Sequence, residues 1–580
     1  MLFNHGDDPS SRRRLGEFGQ DEQYTILIKR GEIVMRKWTG IGLVAAVMVL
    51  GLGLAACGQS SSTAKPKQDL NLPATAALDT IDLAKATGYG QTGNVFESFY
   101  RLGKGGKVAP GLADSAKVSQ DQKTWTFHIR DNAKWSNGDK ITAQDFVYSW
   151  RRTLTPATKS TYTYLFSGIK GANQIIAGKA RPSTLGIHAK DRQTVVIQLT
   201  KPMAYFKILM AYPLFAPQNQ KVVDRYGKKY ATKSQYMVYS GPFKISGWSG
   251  TGNTWSFVKN NQYWDHKVVK LHRINYQVVS NPQTGLGLYQ SKKLDFAQLS
   301  NEQVKNYKNN AAFKEYPYSI MIHLKYNFQN ADAQKRRELS NQNLRQAISL
   351  SLDRAQLTKK VLGDGSVTPT GFVTSGLAKD PKTGEDFASQ QAVKNTTTYN
   401  SKLAKQKWAA AQKQLGTKTV TLDIMAGNDD PAASTVTQYL KGQLEKTLPG
   451  FKLKIQNVPA QVAQQRSQNG DFDIYLSHWG ADFNDPISFM QIPLSSNSLN
   501  YGKWSNKTYD RLIDRAQNQD AANPEQRWQD MVQAAKLINK TQSFTPLYQA
   551  DYAYLQRPNV KGVIHNTAGT QWSYKYASLN

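Results

Sequence analysis

Two carboxylates three residues apart, Asp482 and Asp485, stand in the segment 476–486, LSHWGADFNDP, among aromatic and small residues. Four chemistries suit such an aspartate: catalytic base, metal ligand, cap of a turn or helix, or partner of a cation that a ligand brings. A pair of acids is the minimum for glycoside hydrolysis, but no other feature of the chain supports that reaction. There is no GxSxG elbow, no HExxH pair and no GxxxxGK[ST] loop. The Gly-rich stretch LGKGGKV (102–108) lacks the spacing and the Ser/Thr of a phosphate loop, and reads as a hairpin turn. The eight histidines are dispersed, and His266 and His272 lack metal-ligand spacing. The sequence therefore predicts no metal or cofactor site and not an enzyme.

The elements that must position these residues alternate between strand-like and helix-like stretches, an α/β pattern. TWTFHIR (124–130) and TVVIQLT (194–200) read as strands. TAQDFVYSWRRTLTP (142–156) reads as a helix, with Thr142 and Asp145 as a capping pair and Pro156 as its stop. Asp353 opens and Gly363 closes the second of two helical stretches in 341–363. Helices in 402–415, 432–448 and 524–540 precede strands in 419–425, 452–458 and 544–555.

At 580 residues the chain calls for more than one domain. Its 74 Lys and Arg against 42 Asp and Glu give a formal charge of +32. These cations are spread through nearly every segment, whereas a nucleic-acid binder gathers them into blocks. The expectation is a solvated basic surface suited to anionic lipids and wall polymers. One cysteine excludes an internal disulfide and any zinc site of several thiolates.

That cysteine, Cys57, ends a secretory pattern. Arg36 and Lys37 precede an apolar stretch from Ile41 to Ala56, and Leu54-Ala55-Ala56-Cys57 resembles a lipoprotein cleavage site. Residues 35–56 are expected to be a signal peptide, Cys57 to be diacylated, and 57–68 to be a flexible tether on the outer face of a single-membrane bacterium. Cys57 is then no catalytic nucleophile. Residues 1–34 are read as an upstream extension, because KRGEIVM (29–35) back-translates to a ribosome-binding site ahead of Met35.

Six blocks in order resemble the oligopeptide-binding proteins of peptide ABC importers, the family 5 solute-binding lipoproteins. They are NVFESFYRL (94–102), WTFHIRDNAKWSNGDKITAQDFVYSWRR (125–152), SGPFKISGW (240–248), NNQYWD (260–265), LRQAISLSLDR (344–354) and WGADFNDP (479–486). The resemblance implies a class II periplasmic-binding-protein-like α/β fold, two lobes about a hinge with an additional inserted domain. Lobe I would comprise 58–108, 234–328 and 550–580, the inserted domain 109–233, and lobe II 329–549. It implies oligopeptides as ligands, permease and ATPase subunits as partners, a monomer, and no nucleic acid. By family position Asp482 would meet the peptide ammonium, and His478-Trp479-Gly480 and Glu97-Ser98 would offer backbone edges. Tyr162 and Arg466 occupy ligand-contacting positions. Two departures stand out: Pro459 replaces a cleft tryptophan, and an arginine just before the WGAD block is missing from YLSHW. A dedicated peptide-pheromone receptor of the same fold and a basic surface adhesin are the alternatives.

Overall fold

Three larger sheets organise the chain. The computed structural model describes residues 67–580, except 79, 87–88, 91 and 429–430. Cys57, the signal segment 35–56 and residues 1–34 lie outside the described residues, as does most of the tether.

The first sheet joins β1 (Asp69–Ala74) in parallel to β10 (Arg273–Val278), followed by antiparallel β9 (Thr254–Lys259) and β8 (Phe243–Ser246). The hairpin of β2 (Tyr100–Leu102) and β3 (Val108–Pro110) turns through LGKGGKV as expected, with Gly105 and Gly106 at positive φ. The second sheet is antiparallel, in the order β4 (Ala113–Val118), β5 (Thr124–Ile129), β7 (Thr194–Gln198), β6 (Ile187–Ala189). The helix Ala143–Leu154 lies against it, and its Thr142–Asp145 capping box forms. The box satisfies helix-end amides that would otherwise lack partners.

The third sheet has six strands in the order β11 (Phe296–Gln298), β16 (Phe544–Gln556), β12 (Phe313–Tyr326), β15 (Ile474–Gly480), β13 (Val420–Gly427), β14 (Phe451–Val458). Strands β13, β14 and β15 run parallel to one another, and β12 and β16 are antiparallel to their neighbours. One face of this sheet packs Leu422, Ile424 and Leu453 against Ile348, Trp408 and Leu440 from three helices. On the other face, Met425 and Tyr475 pack with Phe472 and with Ala463 of the helix Ala460–Asn469.

The β12–β16 ribbon is the longest in the molecule, and its register shifts twice, between Pro317 and Met321 and between Ile322 and His323, which faces Pro546. Both breaks sit at prolines, which cannot donate to the ladder. The 313–317 end of the ribbon belongs with β11, and the 321–326 end with β15.

Candidate functional site

Asp482 lies just beyond the C-terminal end of β15. Its backbone amide donates to Ser488 Oγ at 2.8 Å, and Trp479 Nε1 donates to Ser488 O at 2.8 Å, so one serine locks the turn. Ala481 N donates to Ser319 O at 2.8 Å, and Gly569 N donates to Ala481 O at 3.2 Å, tying the turn to β12 and to the C-terminal segment. A side chain at Gly569 would strain its φ of +71° and press on Asp482 O.

Asp482 is 6% exposed. Tyr164 Oη donates to Oδ2 at 2.7 Å and Tyr212 Oη to Oδ1 at 3.4 Å. The second contact is long, so Oδ1 keeps capacity for a stronger donor. Among the described residues no lysine, arginine or histidine ion-pairs with Asp482. Burial pushes its pKa up to about 7, against the opposing pull of the two tyrosine hydroxyls. Both tyrosines, buried beside this carboxylate, have their own pKa pushed well up and stay donors.

Asp485 has a different environment. Arg527 grips it with two bonds, of 2.9 and 2.7 Å, and it also accepts the amide of Ile487. It is a turn residue with a structural ion pair, which removes the paired-acid arrangement. Between the two aspartates, Phe483 stacks on Tyr205 with centroids 5.1 Å apart.

The strand leading to Asp482 has an open edge. β12 pairs β15 through to Ile320↔Gly480. On the opposite side β13 pairs it only at Ile424↔Ile474 and Met425↔Tyr475, then follows β14 to Gly427↔Val458. Residues 476–480, which include His478, Trp479 and Gly480, thus have no strand on the β13 side among the described residues. A β-carbon at Gly480 would sit 3.3 Å from Ile320 Cγ1, so even alanine crowds the sheet there.

The remaining predicted residues divide. Tyr162 stacks against Tyr164 at 5.9 Å and meets Tyr89 edge-on at 5.3 Å, so it buttresses the residue that holds Asp482. Glu97 is buried, and its carboxylate is taken up by Arg101 at 2.7 Å, Tyr263 Oη at 2.6 Å and Trp264 Nε1 at 2.6 Å. Its amide donates to Ser240 Oγ at 3.0 Å, so the blocks around 97, 240 and 263 meet at this one residue. Ser98 accepts the amide of Leu112 at its carbonyl, while its hydroxyl is buried without a partner. Arg466 is bound to Asp471 at 2.8 Å and to Gln456 Oε1 at 3.1 Å, on the helix that Pro459 opens. Gln456 lies on β14, two strands away from β15.

Sequence reading missed Tyr164 and Tyr212. Tyr164 lies two residues from the nominated Tyr162, in the short turn Thr163–Phe166. Nothing in its spacing marks it, because its partner is 318 residues away.

The family described as bacterial extracellular solute-binding proteins, family 5 Middle, matches residues 107–501. The dipeptide-binding protein of Lactococcus lactis subsp. cremoris is 37% identical, over 93% of this chain and 99% of its own length. Among solved structures, Listeria monocytogenes OppA bound to peptide is similar with a TM-score of 0.80 at 36% identity, over 89% of this chain and 99% of that one. The pheromone receptor PrgZ, described with its mode of peptide binding, reaches 0.80 at 33% identity, over 89% and 100%.

Proposed function

The chain belongs to the bacterial extracellular solute-binding proteins of family 5, and from that premise we propose that it captures oligopeptides outside the cell and delivers them to an ABC permease. It binds solutes and is not an enzyme. The observation that carries the peptide reading is Asp482, a buried carboxylate with two hydroxyl donors and no cation, at the end of an open strand edge. A peptide supplies both missing parts. Its α-ammonium is costly to bury without a carboxylate, and a charge-assisted bond to Oδ1 would meet that need. Its backbone would add as a strand along 476–480, an interaction that every peptide sequence can make. With the ammonium at Asp482, the ligand runs antiparallel to β15.

Tyr164 and Tyr212 would hold the carboxylate in place, with Tyr162 behind them. Glu97-Ser98 would line the opposite wall through main chain, since the Glu97 side chain is engaged. Arg466 would reach the ligand only by leaving Asp471. The lobe assignment of 58–108, 234–328 and 550–580 against 329–549, with 109–233 inserted, is supported by the second sheet, whose strands all fall inside 113–198. Closure would then be hinge motion about the β12–β16 ribbon. Cys57 would carry the lipid that holds the protein at the outer face of the membrane. Among the described residues no helix is long and apolar enough to cross a membrane.

Native mass spectrometry of the purified protein, with sequencing of what it releases on denaturation, tests the reading. A mixed set of peptides is expected, and a protein that binds no peptide at all overturns it. One peptide species alone would favour the dedicated-receptor reading that the likeness to PrgZ supports.

A further inference from the structure

The outer face of the first sheet carries cations without counter-ions. Alternation along its strands turns Leu70, Phe243, Phe257 and Ile274 into the core. It leaves Asp69, Lys244, Val258 and Arg273 on the outer side, with Lys244 and Arg273 exposed. The register sets these four in one row: Asp69 opposite Arg273, Arg273 opposite Val258, and Val258 opposite Lys244. With strands about 4.8 Å apart, the two cations start roughly 10 Å from each other across Val258.

Two cavities, of about 460 and 770 Å³, lie over this row, and Val258 and Arg273 line both. Arg225, near the end of the helix Gln220–Tyr226, adds a third cation to the larger one, with its guanidinium 5.5 Å from the ring centre of Tyr226. Lys259 lines the smaller, but its Nζ donates to Val269 O at 2.7 Å. Asp69 is the only carboxylate lining either cavity, and Lys67 holds it at 2.7 Å. Among the described residues no acid pairs with Arg225, Lys244 or Arg273. The next row is satisfied within itself: Ser256 Oγ donates to Asn275 Oδ1 at 2.9 Å, and Asn275 Nδ2 to Asn71 Oδ1 at 3.0 Å. Three cations of one sign around one depression attract an anionic partner.

The place of this face in the chain selects that partner. The described residues begin at Lys67, whose pair with Asp69 stands at the end of the row. From Cys57 to Lys67 a chain at about 3.6 Å per residue reaches roughly 36 Å at most. A lipid on Cys57 therefore keeps the row close above the bilayer, at a high effective concentration over its phosphates. We infer that Arg225, Lys244 and Arg273 form a membrane-facing surface that takes the phosphates of anionic phospholipid headgroups, so that the protein rests on the bilayer by the outer face of its first sheet. This rests on the reading of Cys57 as the lipid-bearing residue and adds an orientation to it. A row of side-by-side cations suits a layer of headgroups, and the short tether places that layer within its reach.

The test is vesicle sedimentation of the chain from residue 58 onward, which keeps every described element and lacks the lipid. Wild type is expected to bind vesicles of mixed phosphatidylglycerol and phosphatidylcholine, to ignore phosphatidylcholine alone, and to be released by high salt. Each cation near such a surface is worth about fivefold, so Arg225→Gln, Lys244→Gln and Arg273→Gln together should lower the partition coefficient about 100-fold. Lys394→Gln, Lys402→Gln and Lys405→Gln remove the same charge from exposed positions at the helix Ser401–Leu415, which packs on the third sheet, and should leave it nearly unchanged. Both triple variants should melt with wild type. No binding by wild type, equal loss in the two variants, or retention on poly(glycerol phosphate) without binding to vesicles overturns the inference. Fatty-acid labelling of the full chain and of Cys57→Ala reads the anchor separately, so either can fail without the other.

Discussion

Glu97 and Asp482 are both buried carboxylates in blocks that resemble one family, and they are provisioned in opposite ways. Glu97 has a guanidinium, a phenol and an indole on its two oxygens. Asp482 has two phenols, one of them distant, and no cation. A fully partnered carboxylate holds the scaffold, because removing it strands Arg101. An under-partnered one has little to contribute to the resting fold, so its value lies in what it receives. On the proposed function, this difference is what separates a structural acid from a ligand-binding one where burial alone does not. Asp485, gripped by Arg527 only three residues from Asp482, falls with Glu97.

The largest expected effect tests the scaffold side. Glu97→Ala leaves the Arg101 guanidinium buried and unpaired, and should lower unfolding stability by about 3–5 kcal/mol, read from urea denaturation. Asp482→Ala should do the reverse: stability holds, while affinity for peptides with a free amino terminus falls by about 2–5 kcal/mol. N-acetylated peptides supply the control. If they bind wild type as tightly as free peptides do, the comparison breaks.

Proton linkage gives the next effect. The pKa of Asp482 is raised to about 7 in the unoccupied fold. An ammonium favours the ionised form, so binding expels the proton below that pH. Affinity for free-amine peptides should therefore be full above pH 7 and fall toward tenfold per unit below it, reaching about 100-fold by pH 5. In the unoccupied protein the sign is opposite. A raised carboxylate pKa means that the fold holds the proton more tightly than the unfolded chain. This group's cost then grows as pH rises from about 4 to 7. Asp482→Asn should accordingly melt above wild type at pH 8, with the gap closing by pH 4. The smallest effect tests the tyrosine that holds Asp482. Tyr164→Phe removes a 2.7 Å bond and should cost peptide affinity about 1–1.5 kcal/mol.

Much of this was legible in the sequence because its signals are local. The capping pair Thr142–Asp145, the hairpin at 102–108 and the helix closed by Gly363 each rest on residues a few positions apart. The block around Asp482 singled that residue out for the role proposed here. Tyr212, 270 residues from Asp482, and the point where β13 leaves β15 were not legible, because they arise only when distant segments are brought together.

The irregular stretch of β12 between Pro317 and Met321 carries a last consequence. Ser319, inside it, gives its carbonyl to Ala481 N and its own amide to Thr567 O. The residue before Asp482 is thus fastened to the spot where the longest ribbon changes course. If the proposed ammonium contact moves that turn, the Ala481–Ser319 hydrogen bond couples it directly to the bend. On the proposed function, ligand contact and ribbon bend would share one piece of backbone, and closure would answer occupancy through that join.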